Sequence, residues 1–540
     1  MDRALAELKD RLGQLTDLRR TEGLLLWDMQ VFMPAGGGPT RAAQLATLGG
    51  IIHERVVDDR FGELFAELEP YVQSLRHDSD DAALVRLARR DWDRARRVPK
   101  ELTVEFAEVS AQSYEAWVKA REASDFAAFR PWLERVLDLR RRYVECFAPY
   151  DDPYDVLLED YEWGMRTAEI RGIFAVLEPE LRELVAAHAS DEEDAFMRGP
   201  FPIAQQEALS RELVERFGAT WDQFRLDTTV HPFEITFGLG DVRLTSRYAE
   251  DDLLSLFTAM HECGHGLYEW GVSPTLERTP LCTGVSATLH ESQSRLWENV
   301  VGRSLPFWEW FYPRVRETFS SRLGSVSLED FHRAINRVRR SHIRVDADET
   351  SYGLHVILRF ELEQRLLSGE LDVEDLPDAW NTRFEELVGI PVPSDALGVL
   401  QDAHWSGGGF GYFPTYLLGT VLSVQIWGKA CAEIPDVEEQ IGRGEFQPLH
   451  EWLRENIYAL GSKFTPAETV ERVVGGPIDP QPYLAYCATS SGRRLPRSPG
   501  LRALRPPGRS ASRPAPWRAR PRRRGRAAER SSRALRAGGS

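Results

Sequence analysis

The stretch Met260-His261-Glu262-Cys263-Gly264-His265-Gly266 holds two histidines four residues apart, with a glutamate directly after the first. In an α-helix, residues i and i+4 lie on the same face, so both imidazoles can point at one metal ion. Glu262 would then lie beside a water molecule on that ion. Asp251-Asp252 before the apolar run, with Gly271 and Pro274 after it, predict a helix here. The alternative is a chance pentapeptide on an ordinary helix.

A catalytic zinc ion usually has three protein ligands and one open position, so a third ligand must come from elsewhere. The next predicted helix offers His290 and Glu291. A helix–loop–helix return can bring Glu291 opposite the two histidines. His290 is the rival ligand, but it would face about 100° round the helix. A site made of His261, His265 and Glu291 favours Zn²⁺, with Co²⁺ or Mn²⁺ as alternatives.

The remainder of the chain reads as a mainly α-helical protein. Apolar residues recur at helical spacing from the N-terminus onward. Residues 228–248 differ, because 229–237 and 242–246 alternate with a period near two around a Gly238–Asp241 turn. We therefore expect a short β-hairpin directly before the metal helix. An edge strand there could pair with a peptide substrate.

Charge is distributed unevenly along the 540 residues, whose formal net charge is −17. Residues 489–540 contain 16 arginines and one glutamate, so the rest of the chain is strongly acidic. An acidic body argues against nucleic-acid binding by the main domain. We predict one domain over residues 1–487 and a disordered Arg/Pro-rich tail over 488–540, whose arginines are the one feature suited to nucleic acid.

The cysteines and the first residues of the chain indicate the cellular compartment. The five cysteines are scattered and lack C-x-x-C pairs, which is typical of reduced thiols in a cytoplasmic protein. The first ten residues are charged throughout and do not resemble a signal peptide. The uncharged run 405–428 is long enough to cross a bilayer, but its glycines and Pro414 indicate a buried loop and core helix.

Two further segments offer groups that peptide hydrolysis needs. His404, Tyr412 and Tyr416 flank a glycine-rich loop and could donate to a developing oxyanion. A carboxypeptidase must also bind a free α-carboxylate, for which Arg344 and Arg243 are candidates. For each of these residues the alternative is structural: a buried histidine, core tyrosines, or arginines paired with nearby aspartates.

These motifs together resemble the carboxypeptidase Taq family of metallocarboxypeptidases. Five family patterns occur in order, and the N-terminal segment is also similar, so the likeness covers roughly residues 1–487. The patterns are Asp241-x-Arg243-x-Thr245, His261-Glu262-x-x-His265, His290-Glu291-Ser292, Ile343-Arg344-x-x-Ala347-Asp348 and Gly398-x-x-Gln401-Asp402-x-His404-Trp405.

The resemblance implies a mostly helical, clam-like peptidase fold with a deep groove, related in shape to neurolysin-type and angiotensin-converting-type enzymes. It also implies a homodimer that removes C-terminal residues from peptides with broad specificity. His261, His265 and Glu291 carry over as metal ligands and Glu262 as the general base. His404 and Tyr416 carry over as groups that stabilise the transition state. The family usually ends in a helix, and here the sequence changes after about Cys487.

Two other functions compete with a zinc carboxypeptidase. An oligo-endopeptidase would use the same metal site but would not need a free C-terminus. A non-catalytic helical binding protein would need neither a working metal site nor a free C-terminus. The intact Glu262 argues against this alternative.

Overall fold

A computed structural model describes residues 2–490. The predicted tail lies outside the described residues from position 491 onward. The part before the sheet contains nine α-helices: α1 Asp2–Val31, α2 Gly38–Val56, α3 Asp59–Ser74, α4 Asp80–Arg97, α5 Lys100–Ala123, α6 Phe126–Glu145, α7 Pro153–Leu158, α8 Thr167–His188 and α9 Ile203–Phe217.

Three strands follow: β1 Phe224–Thr228, β2 Glu234–Gly238 and β3 Asp241–Ser246. The predicted hairpin is present as β2 and β3, which pair antiparallel. The sequence reading missed β1, which pairs parallel with β3 and makes the order β1-β3-β2. The first predicted strand also began too early. Residues 229–233 are not in a strand, and among them Pro232 has no N–H to donate to a ladder.

Helices and one π-helical turn form the remainder of the described chain, and the mainly α prediction is confirmed. They are α10 Leu254–Trp270, α11 Ala287–Arg295, the π turn Leu296–Val301, α12 Leu305–Thr318, α13 Ser320–Leu323, α14 Leu328–Ile335, α15 Tyr352–Ser368, α16 Leu376–Val388, α17 Phe413–Glu433, α18 Val437–Ile441, α19 Gln447–Asn456, α20 Pro466–Val474 and α21 Pro480–Ser490.

The centre of the fold is the packing of α10 and α17 against α11. Two glycines allow the close approach. A Cβ on Gly264 of α10 would lie 2.6 Å from the carbonyl oxygen of Gln293. A Cβ on Gly419 of α17 would lie 2.6 Å from Cβ of Glu291. Both distances are shorter than real contacts allow, so α11 can occupy its place only because these positions lack side chains.

The uncharged run noted above is confirmed as a loop that leads into a core helix. Most of α17 is buried, including Leu417, Leu418, Val421 and Leu422, which have no exposed surface. No helix in residues 2–490 combines the length and the apolar composition that a bilayer crossing requires.

Candidate metal centre and peptide pocket

Three of the predicted ligands meet at one point. Nε2 of His261 lies 3.6 Å from Oε2 of Glu291, and Nε2 of His265 lies 3.5 Å from the same oxygen. One donor atom from each residue lies within 4.8 Å of the others. Ligands at zinc bond lengths in a tetrahedron are separated by about 3.3 Å. This donor set therefore fits a divalent cation such as zinc.

Helix α10 presents both imidazoles, and the start of α11 fixes the carboxylate. Ser286 caps α11 by accepting a hydrogen bond from the backbone N–H of Leu289 at 3.2 Å. Glu162, from the segment between α7 and α8, accepts from the N–H of Thr288 at 3.1 Å. Caps of this kind stabilise the first helical turn, so Glu291 enters the site from a fixed helix end.

The other nitrogen of His261 is held by a carboxylate. Its Nδ1 lies 2.8 Å from Oε2 of Glu298, in the π turn. Burial opposes ionisation of Glu298, but Arg295 and His261 outweigh burial and lower the pKa of Glu298 to about 2. Arg295 also donates to Glu291 at 2.7 Å. Partners of this kind fix the tautomer and direction of a ligand histidine.

His290, the rival ligand, lies behind His265. Its Nδ1 is 2.6 Å from Nδ1 of His265, and its Nε2 is 2.9 Å from Oε1 of Glu269. Glu269 in turn accepts hydrogen bonds from Gly284 and Thr283 at 2.7 and 2.9 Å. Burial lowers the pKa of His265 to about 3, so its ring is neutral, as a metal ligand must be. The carboxylate of Glu291 therefore lies with the Nε2 atoms of the two predicted ligand histidines. His290 instead contacts Nδ1 of His265, on the opposite side of that ring.

The three donor groups line a pocket of about 580 Å³. Glu262 lines it too, and burial raises the pKa of that carboxyl to about 7. The other lining residues come from the segments around the site: Asp160, Tyr161, Pro232, Phe233, Glu234, Gly284, Val285, Ser286, Ala287, His290, Tyr412 and Tyr416.

Two predicted tyrosines line the pocket, and the predicted histidine lies behind them. Nε2 of His404 is 3.2 Å from the hydroxyl of Tyr416, and the rings of His404 and Tyr412 are stacked with centroids 5.7 Å apart. Burial lowers the pKa of His404 to about 4, so this ring is also neutral. A cavity whose wall includes two tyrosines and three groups able to hold a cation can take a peptide carbonyl.

Arg344 is buried behind the pocket wall. Its guanidinium donates to Oδ1 of Asp402 at 2.8 Å and to the hydroxyl of Tyr352 at 2.8 Å, and it lies 4.9 Å from the ring centre of Tyr416. Asp402 also accepts from Arg359 at 2.7 Å. Burial opposes ionisation of Asp402, but the two arginines hold its pKa well below the usual range. The structural alternative expected an ion pair with a nearby aspartate, Asp346 or Asp348, but the partner is Asp402, 58 positions away in the chain.

Arg243 also does not line the pocket. It forms a two-bond ion pair with Asp241, both bonds being 2.8 Å, as the structural alternative expected. Its guanidinium lies between the rings of Trp27 and Phe237, at 4.2 and 4.9 Å from their centres. This arginine therefore joins α1 to the sheet. Contact of Arg243 or Arg344 with a substrate stays a prediction.

Comparison with known families settles the class of protein. The model of the carboxypeptidase Taq (M32) metallopeptidase family matches residues 7–490. The chain belongs to this family. Thermostable carboxypeptidase 1 of Thermus thermophilus is 44% identical over 478 residues, which cover 86% of this chain and 93% of that protein. Carboxypeptidase 1 of Bacillus subtilis is 34% identical, over 89% of this chain and 96% of its own length.

Solved structures agree with the family assignment. The M32 carboxypeptidase from Deinococcus radiodurans superposes with a TM-score of 0.87 at 40% identity, over 91% of this chain and 99% of that one. Metallocarboxypeptidase 1 of Trypanosoma cruzi gives 0.85 at 31% identity, over 91% and 100%. The chain is therefore a member of a family of metallocarboxypeptidases, with the fold of its relatives.

Sequence reasoning missed several residues that hold the M32 site together. Arg295 and Glu298 lie four and seven positions after Glu291, which is the spacing of one helix face, so a search along that face would have found them. Glu269 lies four positions after His265 on α10, so the same search along a helix face would have found it, whereas Glu162 gave no such signal. Glu162 is 129 positions from Glu291 in the chain, and only folding brings it to the start of α11.

Proposed function

We propose that the chain is a zinc-dependent carboxypeptidase that hydrolyses the C-terminal peptide bond of peptides with broad specificity. One observation carries the proposal. Oε2 of Glu291 lies within 3.6 Å of Nε2 of both His261 and His265, in a pocket that Glu262 also lines. Two neutral or ion-paired imidazoles and a carboxylate suit zinc, although softness alone does not separate it from Co²⁺ or Mn²⁺.

Glu262 is the general base in this proposal. A divalent cation bound at the three ligands would polarise the scissile carbonyl and lower the pKa of a water molecule beside it. Glu262 accepts the proton of the attacking water and then gives it to the leaving nitrogen. Its pKa near 7, raised by burial, suits a group that must both take and return a proton.

Tyr412 and Tyr416 are proposed to stabilise the oxyanion. Both hydroxyls belong to residues that line the pocket, so they can donate to a carbonyl oxygen as it gains charge. The ring of His404 fixes the direction of the Tyr416 hydroxyl through the contact at 3.2 Å. The guanidinium of Arg344, 4.9 Å from the ring centre of Tyr416, adds positive charge beside this tyrosine.

Tyr412 is proposed to bind the substrate's α-carboxylate. Arg344 and Arg243 are the predicted cations that would pair with it. Tyr412 is in the pocket wall. A direct contact by Arg344 has to replace its bonds to Asp402, and one by Arg243 has to replace its bonds to Asp241. After such an exchange Asp402 would still be paired with Arg359, and Asp241 is exposed enough to be solvated by water.

A pair of peptides tests this proposal against its main rival. One peptide has a free C-terminus, and its twin is C-terminally amidated. We expect release of the last residue from the free peptide only, loss of activity on chelation, and recovery on adding zinc. Equal cleavage of both peptides would identify an oligo-endopeptidase. No cleavage of either peptide by protein with a full complement of metal would favour a non-catalytic binding protein.

The proposal also includes zinc as the bound metal, a homodimer as the assembly state and the cytoplasm as the location. No disulfide links any of the five cysteines, all of which lie in the described part of the chain, and this fits a reducing compartment. Elemental analysis of protein purified without added metal measures which ion is present. Light scattering coupled to gel filtration measures the assembly state.

A further inference from the structure

Glu234, at the start of β2, is a carboxylate in the pocket wall without a cationic partner. The hydroxyl of Thr236 donates to its Oε1 at 2.6 Å. Among residues 2–490, no arginine, lysine or histidine forms an ion pair with Glu234 within 4.0 Å. A carboxylate removed from bulk water without a counter-charge is costly, so such a group in a ligand pocket needs an explanation.

The other carboxylates of the pocket wall are accounted for. Asp160 pairs with Arg94 at 2.6 Å, and Glu291 pairs with Arg295 at 2.7 Å. Glu262 has the role of general base in the proposed reaction. Glu234 alone among these four has neither an arginine partner nor a role in the chemistry.

The surroundings of Glu234 favour a positive ligand. No lysine or arginine is present among the described residues that line the pocket. Burial and the nearby charge of Glu269 raise the pKa of Glu234 to about 8, although His290, which forms its ion pair with Glu269, opposes the shift. A cation that entered the pocket would offset both causes, because it would pair with the buried carboxylate and oppose the charge of Glu269.

We infer that Glu234 binds a cationic nitrogen of the peptide, so that the enzyme prefers substrates with lysine or arginine next to the scissile bond. This inference rests on the proposed function, since it takes the pocket as the peptide site. The same chemistry could come from the free α-amino group of a very short peptide. The experiment below separates these two sources.

The test compares peptides that end in lysine or in norleucine, which has a similar side-chain length without the charge. We expect the wild-type kcat/KM to be about 10-fold higher for lysine, as a close ion pair in a pocket supports. In Glu234→Gln, where the amide still accepts from Thr236, the ratio should fall to near 1 with the norleucine rate within about twofold of wild type. Glu234→Lys should reverse the preference towards a C-terminal glutamate.

Asp227→Asn is the matched control. Asp227 is a carboxylate of the same sheet, on β1, but it is paired with Arg225 at 2.7 Å and does not line the pocket. Its loss should leave the lysine-to-norleucine ratio unchanged. If the Glu234 variants do not fold, the lysine-to-norleucine ratio of the wild type still tests the inference. A ratio of 1 or less overturns it.

Two further arms locate the cation. Moving the lysine to the penultimate position shows which side of the scissile bond faces Glu234, and a preference at either position supports the inference. Acetylating the α-amino group of a norleucine tripeptide separates the sources: slower hydrolysis of the acetylated tripeptide in the wild type, but not in Glu234→Gln, assigns the cation to the α-amino group. Hydrolysis of norleucine peptides without any preference for a cation overturns this inference and leaves the carboxypeptidase proposal standing. No hydrolysis of any free peptide sinks the carboxypeptidase proposal itself.

Discussion

Nδ1 of His290 lies 2.6 Å from Nδ1 of His265, and only one of these two nitrogens can carry a proton between them. Nε2 of His290 is 2.9 Å from Glu269 and donates to it, so in the neutral form of His290 the Nδ1 is an acceptor. His265 therefore donates from Nδ1, which leaves the lone pair of its Nε2 free on the side of Glu291. The relay Glu269–His290–His265 thus sets the tautomer that a metal ligand requires.

This relay predicts that His290 affects metal affinity without being a ligand. His290→Leu removes the acceptor for His265 and should weaken zinc binding about 10- to 100-fold, measured by competition with a chromophoric chelator. His290→Asn keeps an acceptor and should retain more affinity than the leucine variant. His342→Asn is the control, because His342 contacts the carbonyl of Pro391 and does not line the pocket. Equal affinity of the leucine variant and the wild type would contradict the relay.

Replacing Glu262 should separate chemistry from metal binding. Glu262→Gln keeps the size of the side chain but cannot accept a proton, so kcat should fall by about 10²- to 10⁴-fold. Metal content should stay at the wild-type level, because the three ligands are untouched. Turnover within a factor of two of wild type, at equal metal content, would rule out Glu262 as the base.

The glycines that admit α11 should be intolerant of a methyl group. Gly419→Ala would force α17 away from Glu291 and should lower the free energy of unfolding by about 1–3 kcal/mol, with weaker metal binding. Gly428→Ala is the control on the same helix, because a Cβ there meets nothing within 4 Å. That variant should gain about 0.5–1 kcal/mol from helix propensity. Denaturant unfolding followed by circular dichroism measures the free energy of unfolding of both variants. A Gly419→Ala protein as stable as the wild type would refute the packing argument.

Glu349 should make the fold less stable as pH rises. Burial raises its pKa to about 7, against the opposing charge of Arg303 and a hydrogen bond from Tyr486. Because the folded pKa exceeds the unfolded value near 4.5, the folded state binds more protons between these values, and stability falls from about pH 4.5 to pH 7.

Glu349→Gln removes this titration. Above pH 7.5 the variant should be more stable than wild type by about 1–2 kcal/mol, and the difference should shrink towards pH 4.5. Urea unfolding at several pH values measures the difference. A gap that is constant with pH would show that the carboxyl does not titrate in this range.

Local patterns were enough for the helical class, the β2–β3 hairpin and the helix that presents His261 and His265. Helical periodicity and the four-residue spacing are properties of a short segment, so they can be read without the rest of the chain. The parallel strand β1 could not be read in this way, because its pairing with β3 depends on a distant partner. The start of β2 was misplaced because cross-strand bonds, and not alternation, decide where pairing begins.

The amino-acid sequence by itself determined which groups the site could use: two imidazoles on one helix face, a carboxylate beside them, and a second helix that carries Glu291. Tertiary structure decided their roles. It placed Glu291 at the common point and His290 behind His265, it buried Arg344 against Asp402, and it left Glu234 unpaired in the pocket. The reason is physical: identity and local spacing fix a side chain's chemistry, but its partner, solvent access and charge environment come from segments far away in the chain.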